Sequence, residues 1–531
     1  MLEEKNLKKI ISQWLNSPEG QAQKKSFDLQ KAPELLKIIK NSSAPARLME
    51  LAYDSCSEHF RKNSGMFFTP SAVAAIMVKN ALDCWCRKHD SYDDLCRIKV
   101  LDPACGTGEF LLAALEELLK RRQRFKPEIS TEKLTEEIIL NNLYGIDSDS
   151  NVLTVMQQHF ELLAGGKLEK SHFIHSNALD FTSAGACFGN NWQFDLVVGN
   201  PPYVSYGLRN TGKLERSKSE ELRKRFPNSA EYKITIYAIF MEFAINSTAQ
   251  DGVHSFLVPD SFLCGQYFSK IRKFILENSA IEKIILLRFK LFKAVPGSLV
   301  IYLLSKTPIS KNHCLSSAAV DNFNALQKNN CGYLIRQNEF VSNHLCRFRL
   351  FFSEKIHRKV LQMEQNSVCK LGDLVTLASG IIGKYGKKSI IANTLPDERG
   401  MWKKGITSGK SIRTNEKIIW QHEYINCDPD LIKSGLGKID YQQPKILIRQ
   451  TGDRIIAAVD RDKLIVLNNV HAAVSKTDSL DLERLTAYLN SREMLLYYQA
   501  VTLENNRPMA QIDLETLREL PMKDFFRKNS K

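Results

Sequence analysis

The sequence predicts an α/β protein whose central element is a doubly wound sheet, with a helical N-terminal extension and a C-terminal α+β domain. Residues 98–101 and 194–198 are short apolar, β-branched runs of the kind found in strands that are buried on both faces. A glycine loop and an amphipathic helix, residues 110–119, follow the first run, which is the order of a βα unit. With 531 residues, the chain is long enough for two or three domains.

Composition divides the chain into four segments. Residues 1–60 have apolar positions at mixed helical spacings and are expected to form the helical extension. Residues 61–306 hold the strand-forming runs and are expected to be the catalytic domain. Residues 307–345 are polar and irregular, as in a linker, whereas residues 346–531 combine short β-like runs, glycines and basic loops with helices at the end.

The formal net charge is +15 and the isoelectric point is about 9.1, a balance that favours a polyanionic partner, most commonly nucleic acid. No apolar run approaches the ~20 residues of a membrane helix, and the amino terminus lacks a signal-like apolar core. The cysteines are scattered without a CxxC pair, and no Cys/His spacing resembles a zinc site. We therefore expect a cytoplasmic protein with reduced thiols, no bound metal and no membrane partner.

The loop at residues 102–108 (DPACGTG) follows the first strand, where open α/β sheets bind ligands. Gly106 and Gly108 would let a ligand approach the backbone closely. The loop is neither GxGxxG nor followed by GK[ST], so a dinucleotide pyrophosphate or a nucleoside triphosphate is a poor match. Asp102 disfavours a phosphate and suits a cationic ligand. A loop with a purely structural role is the alternative interpretation.

Two later acids lie where the next strands are expected to end. Residues 142–149 are expected to form the second strand, and its Asp147 is placed to hold the two hydroxyls of a ribose. Residues 173–181 are expected to form a third strand and turn. There Asp180 could accept a hydrogen bond from an adenine amino group while Phe181 covers the ring. A simple turn is the other interpretation of this pair.

The strand at residues 194–198 is expected to deliver Asn200, Pro201, Pro202 and Tyr203 to its carboxyl end. The prolines fix the backbone, so that the Asn200 amide and the Pro201 carbonyl become rigid acceptors beside an aromatic ring. Two acceptors that hold the protons of a base's exocyclic amino group favour a more tetrahedral, reactive nitrogen. Tyr203 could stack on that base. A turn after a strand is the alternative interpretation.

Five motifs in this order resemble those of amino-methyltransferases that use S-adenosylmethionine: FTP at 68–70, DPACGTGEF at 102–110, GID at 145–147, LDF at 179–181 and NPPY at 200–203. In particular, the chain resembles the gamma-class, TaqI-like adenine-N6 DNA methyltransferases of restriction-modification or phage-defence systems. The resemblance covers about residues 60–306 and, more loosely, the rest of the chain. It implies the methyltransferase sheet for the catalytic domain and a DNA target-recognition domain at the C-terminus.

The resemblance also assigns roles to individual residues. The residues that would contact the cofactor are Thr69, Asp102, Ala104, Gly106, Gly108, Asp147, Asp180 and Phe181. The residues that would hold the target base are Asn200, Pro201, Pro202 and Tyr203. Phe292 resembles the family's aromatic partner for the target base, which must leave the duplex to reach such a pocket. A core phenylalanine before a strand is the alternative interpretation of Phe292.

The implied function is site-specific methyl transfer from S-adenosylmethionine to the N6 amino group of adenine in double-stranded DNA, by base flipping and without a covalent intermediate. Cytosine-N4 methylation is the nearest alternative, because the pocket described would accept any exocyclic amine. The chain could also be the modification subunit of a multi-subunit restriction or defence complex, or have a cognate restriction endonuclease as a partner. Methylation of a glutamine side-chain amide in proteins is a further alternative, although it does not need a large basic domain after the catalytic core.

Two segments have the charge expected of surfaces that contact DNA. Residues 209–225 follow the catalytic turn and hold seven basic residues against three acids, so we expect a mobile flap that meets phosphates, or a solvated charged loop. Residues 384–417 hold nine Lys or Arg against three acids, with Tyr385 and Trp402 interleaved. The residues that read individual bases do not follow from the sequence, because recognition loops are not a transferable code.

Overall fold

The computed structural model describes residues 67–168, 170–189, 192–206, 214–292, 295, 297–328, 332–396, 401–414, 416–505, 507 and 510–524, together with residues 9, 10, 13, 17 and 37. The predicted helical extension, residues 1–60, lies outside the described residues apart from those five positions. The chain divides into two compact units, Met1–Phe348 and Arg349–Lys531.

The first unit is built on one large sheet. Its strands are β1 (Val100–Asp102), β2 (Leu143–Asp147), β3 (His172–His175), β4 (Phe194–Gly199), β5 (Thr248–Pro259), β6 (Ala280–Leu287), β7 (Leu299–Ser305), β8 (Cys314–Val320) and β9 (Tyr333–Arg336). They lie in the order β3-β2-β1-β4-β5-β7-β6-β8-β9. The first five strands of that order are parallel, and β7 runs antiparallel between β5 and β6.

The predicted doubly wound sheet is confirmed by this strand order. Because β1 pairs with β2 on one side and with β4 on the other, the direction of winding reverses between β1 and β4. Ligands of such sheets bind beyond the carboxyl ends of the strands at that reversal. The strands that carry the predicted site residues, β1, β2 and β4, all end there.

Helices cover the strands of the first unit. They are α1 (Ser71–Trp85), α2 (Tyr92–Arg97), α3 (Glu109–Phe125), α4 (Thr131–Asn142), α5 (Ser150–Ala164), α6 (Ala184–Cys187), α7 (Arg216–Arg225), α8 (Ile236–Ser247), α9 (Ser261–Cys264), α10 (Ser269–Asn278), α11 (Phe323–Gln327) and α12 (Asn338–Ser342). α1 begins directly after Pro70 and buries Val73, Met77 and Val78 in a core shared with α3 and the sheet. Of the helices within the described ranges, none is long and apolar enough to cross a membrane.

The segment predicted as a linker, residues 307–345, differs from that prediction because it belongs to the large sheet. β8 pairs parallel with β6, and β9 pairs antiparallel with β8. β8 reads CLSSAAV and is buried at only some positions, since strands near the edge of a sheet do not need an apolar residue on both faces. Polar composition therefore concealed two strands, and the first unit extends to Phe348.

The second unit is an α+β domain, as predicted. Its strands are β10 (Cys369–Lys370), β11 (Val375–Ser379), β12 (Ile382–Gly383), β13 (Ile391–Ala392), β14 (Trp402–Ile406), β15 (Tyr424–Asn426), β16 (Ile432–Ser434), β17 (Lys445–Arg449), β18 (Ala457–Asp460), β19 (Ile465–Val466), β20 (Val470–Ser475) and β21 (Pro521–Met522). Its helices are α13 (Glu354–Gln365), α14 (Leu371–Leu374), α15 (Leu482–Leu489), α16 (Arg492–Thr502) and α17 (Leu514–Arg518). Two sheets, β11-β20-β17-β18 and β13-β15-β14-β19, enclose an apolar core.

An ion pair is buried in the second unit. Lys445 of β17 and Asp460 of β18 are both excluded from solvent, with 2.5 Å between Nζ and a carboxylate oxygen. We expect Lys445→Ala to lower the free energy of unfolding by about 3–5 kcal/mol, because it leaves a buried carboxylate without its cation. Denaturant unfolding of the full chain, followed by circular dichroism, measures the loss.

The neighbouring exposed ion pair provides the control for this prediction. Arg461 and Glu483 are both more than half exposed, so that Arg461→Ala is expected to cost no more than about 1 kcal/mol. Equal losses for Lys445→Ala and Arg461→Ala would contradict the role given to the buried pair.

Candidate active site

A cavity of about 900 Å³, counting its space open to solvent, lies at the carboxyl ends of β1, β2 and β4. Its lining includes Asp102 from β1, Asp147 from β2 and Asn200, which follows β4 directly. The segment before α1 and the turn after β3 complete the wall. The cavity therefore occupies the position at which the doubly wound sheet is expected to bind a ligand.

The glycine loop between β1 and α3 shapes one wall. Gly106 has φ +52° and Gly108 has φ +89°, values that favour glycine, so the loop turns sharply before the helix begins. Gly108 does not line the cavity. A Cβ there would lie 2.6 Å from Cγ of Met156, so this glycine allows α3 to pack closely against α5.

Two carboxyl groups lie at the base of the cavity, that of Asp102 buried and that of Asp147 partly buried. Asp102 Oδ1 accepts a hydrogen bond from the Ala104 N–H (3.1 Å), and Asp147 accepts from the N–H groups of Gly106 and Asp149 (both 2.8 Å). Burial raises the pKa of Asp102 to about 8 and that of Asp147 to about 6. Within the described residues, no basic side chain forms an ion pair with either group. The cavity thus offers two carboxyl groups to a ligand that is cationic or rich in donors.

Gly199, the last residue of β4, allows the buried carboxyl of Asp102 to lie against the strand. A Cβ at this position would be only 2.7 Å from Asp102 Oδ1. The strand therefore ends in a glycine because its neighbour β1 places a carboxyl group against it. Because of this close approach, the first residue of the glycine loop, Asp102, lies next to the segment that begins at Asn200.

Asn200 presents an unused acceptor at the cavity. Its Nδ2 donates a hydrogen bond to the carbonyl oxygen of Phe67 (2.8 Å), which fixes the orientation of the amide. Its Oδ1 is buried and has no hydrogen-bond partner among the residues that the structure describes. A buried acceptor without a partner is costly, so it marks a place where a ligand's N–H or O–H group would be stabilised.

An aromatic cluster lies beside Asn200. The Phe67 ring stacks on Phe292 at 5.3 Å between centroids and lies 5.7 Å from the Tyr203 ring. Tyr203 and Phe292 are 6.4 Å apart, and the Tyr203 hydroxyl donates to the carbonyl oxygen of Leu257 (3.1 Å). Burial raises the pKa of Tyr203 well above its ordinary value. The two aromatic residues expected to hold a base therefore share one cluster, with Phe67 against both.

The structure brings together part of the predicted set of site residues. Those that line the cavity are Thr69, Asp102, Ala104, Gly106, Asp147, Asn200 and Pro202. Those that lie outside its lining are Gly108, Asp180, Phe181, Pro201, Tyr203 and Phe292. Asp180 is half exposed in a 3₁₀ turn, where it accepts from Nδ2 of Asn177 (3.0 Å) and lies 3.5 Å from Nζ of Lys218. The roles given to all of these residues stay predictions.

Several residues of the cavity were given no individual role from the sequence, although some belong to the motifs at 68–70 and 102–110. They are Phe67, Phe68, Pro103, Cys105, Thr107, Glu109, Phe110, Ser148, Ser176, Asn177, Ala178 and Phe240. Asn177 follows β3 by two residues, so the rule that strand ends meet at one edge of the sheet could have found it. Phe240 lies within α8, where its spacing is that of a core residue, and gave no such signal.

The predicted flap after residues 200–203 is helical over most of the part that the structure describes. α7 covers Arg216–Arg225, whereas Arg209 and Lys213 lie outside the described residues. Arg225 donates a hydrogen bond to the carbonyl oxygen of Leu179, and this contact ties α7 to the turn after β3. The part of the segment that was expected to be a mobile loop is thus an ordered helix beside the cavity.

Comparison with known proteins decides the family. The family model described as N-6 DNA Methylase matches residues 47–377, more than half of the chain. The chain belongs to the N-6 DNA methylase family. The family model described as a TaqI-like C-terminal specificity domain matches residues 404–522. The resemblance drawn from the five ordered motifs is therefore confirmed.

Two curated relatives are similar to part of the chain. The type II restriction enzyme and methyltransferase RM.Eco57I of Escherichia coli is 25% identical over 260 residues, which are 41% of this chain and 25% of the relative. The type II methyltransferase M.VspI of Vibrio sp. (strain 343) is 24% identical over 254 residues, 46% of this chain and 50% of the relative. The chain spans half or less of the length of these relatives.

Two solved structures share the fold of this chain. A nuclease-deletion mutant of the type ISP restriction-modification enzyme LlaGI, in complex with a DNA substrate mimic, matches with a TM-score of 0.61 and 14% identity over 97% of this chain and 50% of that chain. The type IIL restriction-modification enzyme MmeI, in complex with DNA, matches with a TM-score of 0.58 and 15% identity over 88% of this chain and 70% of that chain. At these identities the likeness shows the fold alone.

Proposed function

We propose that the protein transfers a methyl group from S-adenosylmethionine to the N6 amino group of adenine in double-stranded DNA, as the modification enzyme of a restriction-modification or defence system. The observation that carries the proposal is the buried Oδ1 of Asn200, which has no hydrogen-bond partner among the described residues and lies in the same cavity as the carboxyl groups of Asp102 and Asp147. Membership of the N-6 DNA methylase family and the names of the relatives support the same reaction.

The cavity fits S-adenosylmethionine by the chemistry of its donors and acceptors. When bound, this cofactor supplies an electrophilic methyl group on a sulfonium sulfur. Asp147, already oriented by two backbone N–H groups, would accept from the ribose hydroxyls. Asp102 is buried without a cation among the described residues, so it would stabilise the positive charge of the ligand. Thr69, Ala104 and Gly106 would enclose the remaining surface.

Asn200 would hold the amino group that is methylated. Its Oδ1 is placed to accept one amino proton, and the carbonyl oxygen of Pro201 would accept the second. Both hydrogen bonds draw the nitrogen lone pair out of conjugation with the ring, which favours attack by the nitrogen. The Phe67 carbonyl fixes the amide of Asn200, so this acceptor is oriented before the substrate arrives. Tyr203, with Phe292, would offer an aromatic surface to the base.

The second unit is proposed to read the DNA sequence, and a protein with this substrate would act in the cytoplasm. β14 carries Lys403 and Lys404, and Nζ of Lys404 lies 4.9 Å from the ring centroid of Trp420. Tyr385, between basic residues, is exposed. Basic side chains would contact phosphates, and exposed aromatic side chains would contact bases. The match of residues 404–522 to a TaqI-like specificity domain supports the proposal that the second unit recognises the DNA sequence.

The experiment that tests the proposal is incubation of the purified full chain with labelled S-adenosylmethionine and unmethylated genomic DNA, followed by digestion to nucleosides. Label in N6-methyladenine is the expected result. Label in N4-methylcytosine would retain the cavity chemistry and overturn the choice of base. No label in DNA, from a protein that binds the cofactor, would overturn the proposal and direct the search to a required partner or a protein substrate.

A further inference from the structure

An exposed aromatic patch lies on the first unit, outside the cavity. It consists of Tyr232, Lys233 and Tyr267. The Tyr232 side chain is 77% exposed, and its ring stacks on Tyr267 with 5.6 Å between centroids and 29° between planes. Nζ of Lys233 lies 5.1 Å from the Tyr267 ring centroid. Exposed aromatic rings accompanied by a cation are typical of surfaces that bind unpaired nucleobases.

The backbone that presents Tyr232 is held in place by side chains on both sides. Arg223 donates hydrogen bonds to the carbonyl oxygens of Glu231 (3.3 Å) and Tyr232 (3.2 Å). The carboxylate of Glu231 accepts from the Lys270 N–H (2.7 Å) and from the Ser269 hydroxyl (3.3 Å). The segment is therefore ordered before any ligand binds, which reduces the entropy lost when a ring stacks on Tyr232.

The patch lies close to the NPPY segment. The Tyr206 N–H donates to the carbonyl oxygen of Ile234 (2.9 Å), and the Ile236 N–H donates to that of Val204 (2.8 Å). Tyr232 is two residues from Ile234, and Tyr206, the hydrogen-bond partner of Ile234, is three residues after Tyr203. These two stretches of backbone together span at most about 18 Å, so the patch lies within about five nucleotide steps of the NPPY segment along a DNA strand.

The charge around the patch suits a DNA strand. α7, which carries Arg223, has five basic residues and two acids along Arg216–Arg225. Lys233 and Lys270 add positive charge on the two segments that bracket the aromatic pair. Rings that can stack on a base thus lie among groups that can contact the phosphates on either side of it.

We propose that Tyr232 and Tyr267, with Lys233, bind an unpaired base of the DNA strand next to the target nucleotide. Removing one base from the helix deprives its neighbours of a stacking partner, and the Tyr232 ring would replace that partner. The inference rests on the proposed DNA substrate and adds a site that holds the strand outside the catalytic pocket. Lys233 would contact a flanking phosphate.

The test compares two labelled DNA probes that differ only in pairing. One is a duplex with a central bubble of unpaired adenines, and the other is the same duplex fully paired. Affinities of the full chain are measured by fluorescence anisotropy. We expect Tyr232→Ala to weaken binding to the bubble about tenfold and to leave binding to the paired duplex unchanged, because a stacked base contributes on that order. Tyr232→Phe keeps the ring and is expected to bind as the unmodified protein does.

A matched control variant shows whether a loss of affinity comes from lost stacking at the patch or from the loss of any exposed aromatic ring. Phe125 is 49% exposed at the far end of α3, a helix of 17 residues that begins at the cavity, so it lies roughly 25 Å from the cavity along the helix axis. Phe125→Ala is expected to change neither affinity. The same affinity for the bubble in Tyr232→Ala and the unmodified protein, or equal losses for both probes, would overturn the proposal.

The binding measurement is independent of methyl transfer. If binding to the bubble depends on Tyr232 as expected and yet the chain methylates no DNA, the proposed reaction is wrong and the stacking site is supported. If it methylates adenine while Tyr232→Ala binds the bubble normally, the reaction stands and the stacking site is overturned.

Discussion

Replacing Asn200 by alanine is expected to reduce methyl transfer to DNA by about 10²–10³-fold and to leave the affinity for S-adenosylmethionine unchanged. The variant loses the buried Oδ1 that has no other partner among the described residues. A hydrogen bond that strengthens as charge develops in the transition state contributes on this scale. The rate should therefore fall in a single turnover at saturating cofactor, whereas cofactor binding, which is proposed to depend on Asp102 and Asp147, should not.

A second asparagine of the same cavity is the control for this prediction. Asn177 also lines the cavity, but its amide already bonds the Leu179 N–H and the Asp180 carboxylate. Asn177→Ala is expected to retain the single-turnover rate at saturating cofactor. Because the Asn200 amide also holds the Phe67 carbonyl, thermal unfolding of each variant checks that the fold is intact. Similar losses of rate in both variants would contradict the assignment of Asn200.

The strands that end at the cavity could be predicted from sequence for a physical reason. Phe194–Gly199 is buried along almost its whole length, and a strand buried on both faces reads as a continuous apolar run. The glycines and acids that follow such runs stand out because the run ends there. Asn200, the glycine loop and Asp147 were singled out in this way, and they line one cavity.

The parts that sequence did not predict depend on contacts between distant residues or on weak patterns. Phe67 holds Asn200 through its backbone carbonyl, which leaves no mark on residue type. β8 near the edge of the sheet carries small and polar residues, so its pattern resembled that of a loop. In the second unit, β11 pairs with β20, almost a hundred residues later, and such pairing has no local signal.

Asp102→Asn is expected to weaken binding of S-adenosylmethionine about 10²-fold and to stabilise the cofactor-free protein at pH 8. The weakening follows because the variant cannot supply a negative charge to a buried cationic ligand. The stabilisation follows from the pKa of Asp102, about 8 in the folded chain and about 3.9 for an ordinary aspartate. Between these values the folded state holds a proton that the unfolded state has released, so stability falls as pH rises from about 4 to about 8.

Asparagine at position 102 removes this pH dependence of stability because its side chain does not ionise. Its Oδ1 can still accept a hydrogen bond from the Ala104 N–H. Bound cofactor is expected to oppose this fall in stability with pH in the unmodified protein, because its positive charge stabilises the ionised carboxylate of Asp102. Affinity for S-adenosylmethionine should thus rise with pH up to about 8, whereas affinity for S-adenosylhomocysteine, which lacks the sulfonium charge, should rise less. Thermal unfolding against pH, with and without each ligand, measures both effects.

The other end of β4 provides the matched control for Asp102→Asn. Asp195 is a partly buried carboxyl whose pKa is raised by that burial, and it accepts from the Lys99 N–H at 2.8 Å. It lies five residues before Asn200, about 17 Å along the strand and away from the cavity. Asp195→Asn is therefore expected to change the pH dependence of stability without changing cofactor affinity. If Asp195→Asn weakened cofactor binding as much as Asp102→Asn, the loss would reflect a disturbed sheet, and Asp102 would have no direct part in holding the cation.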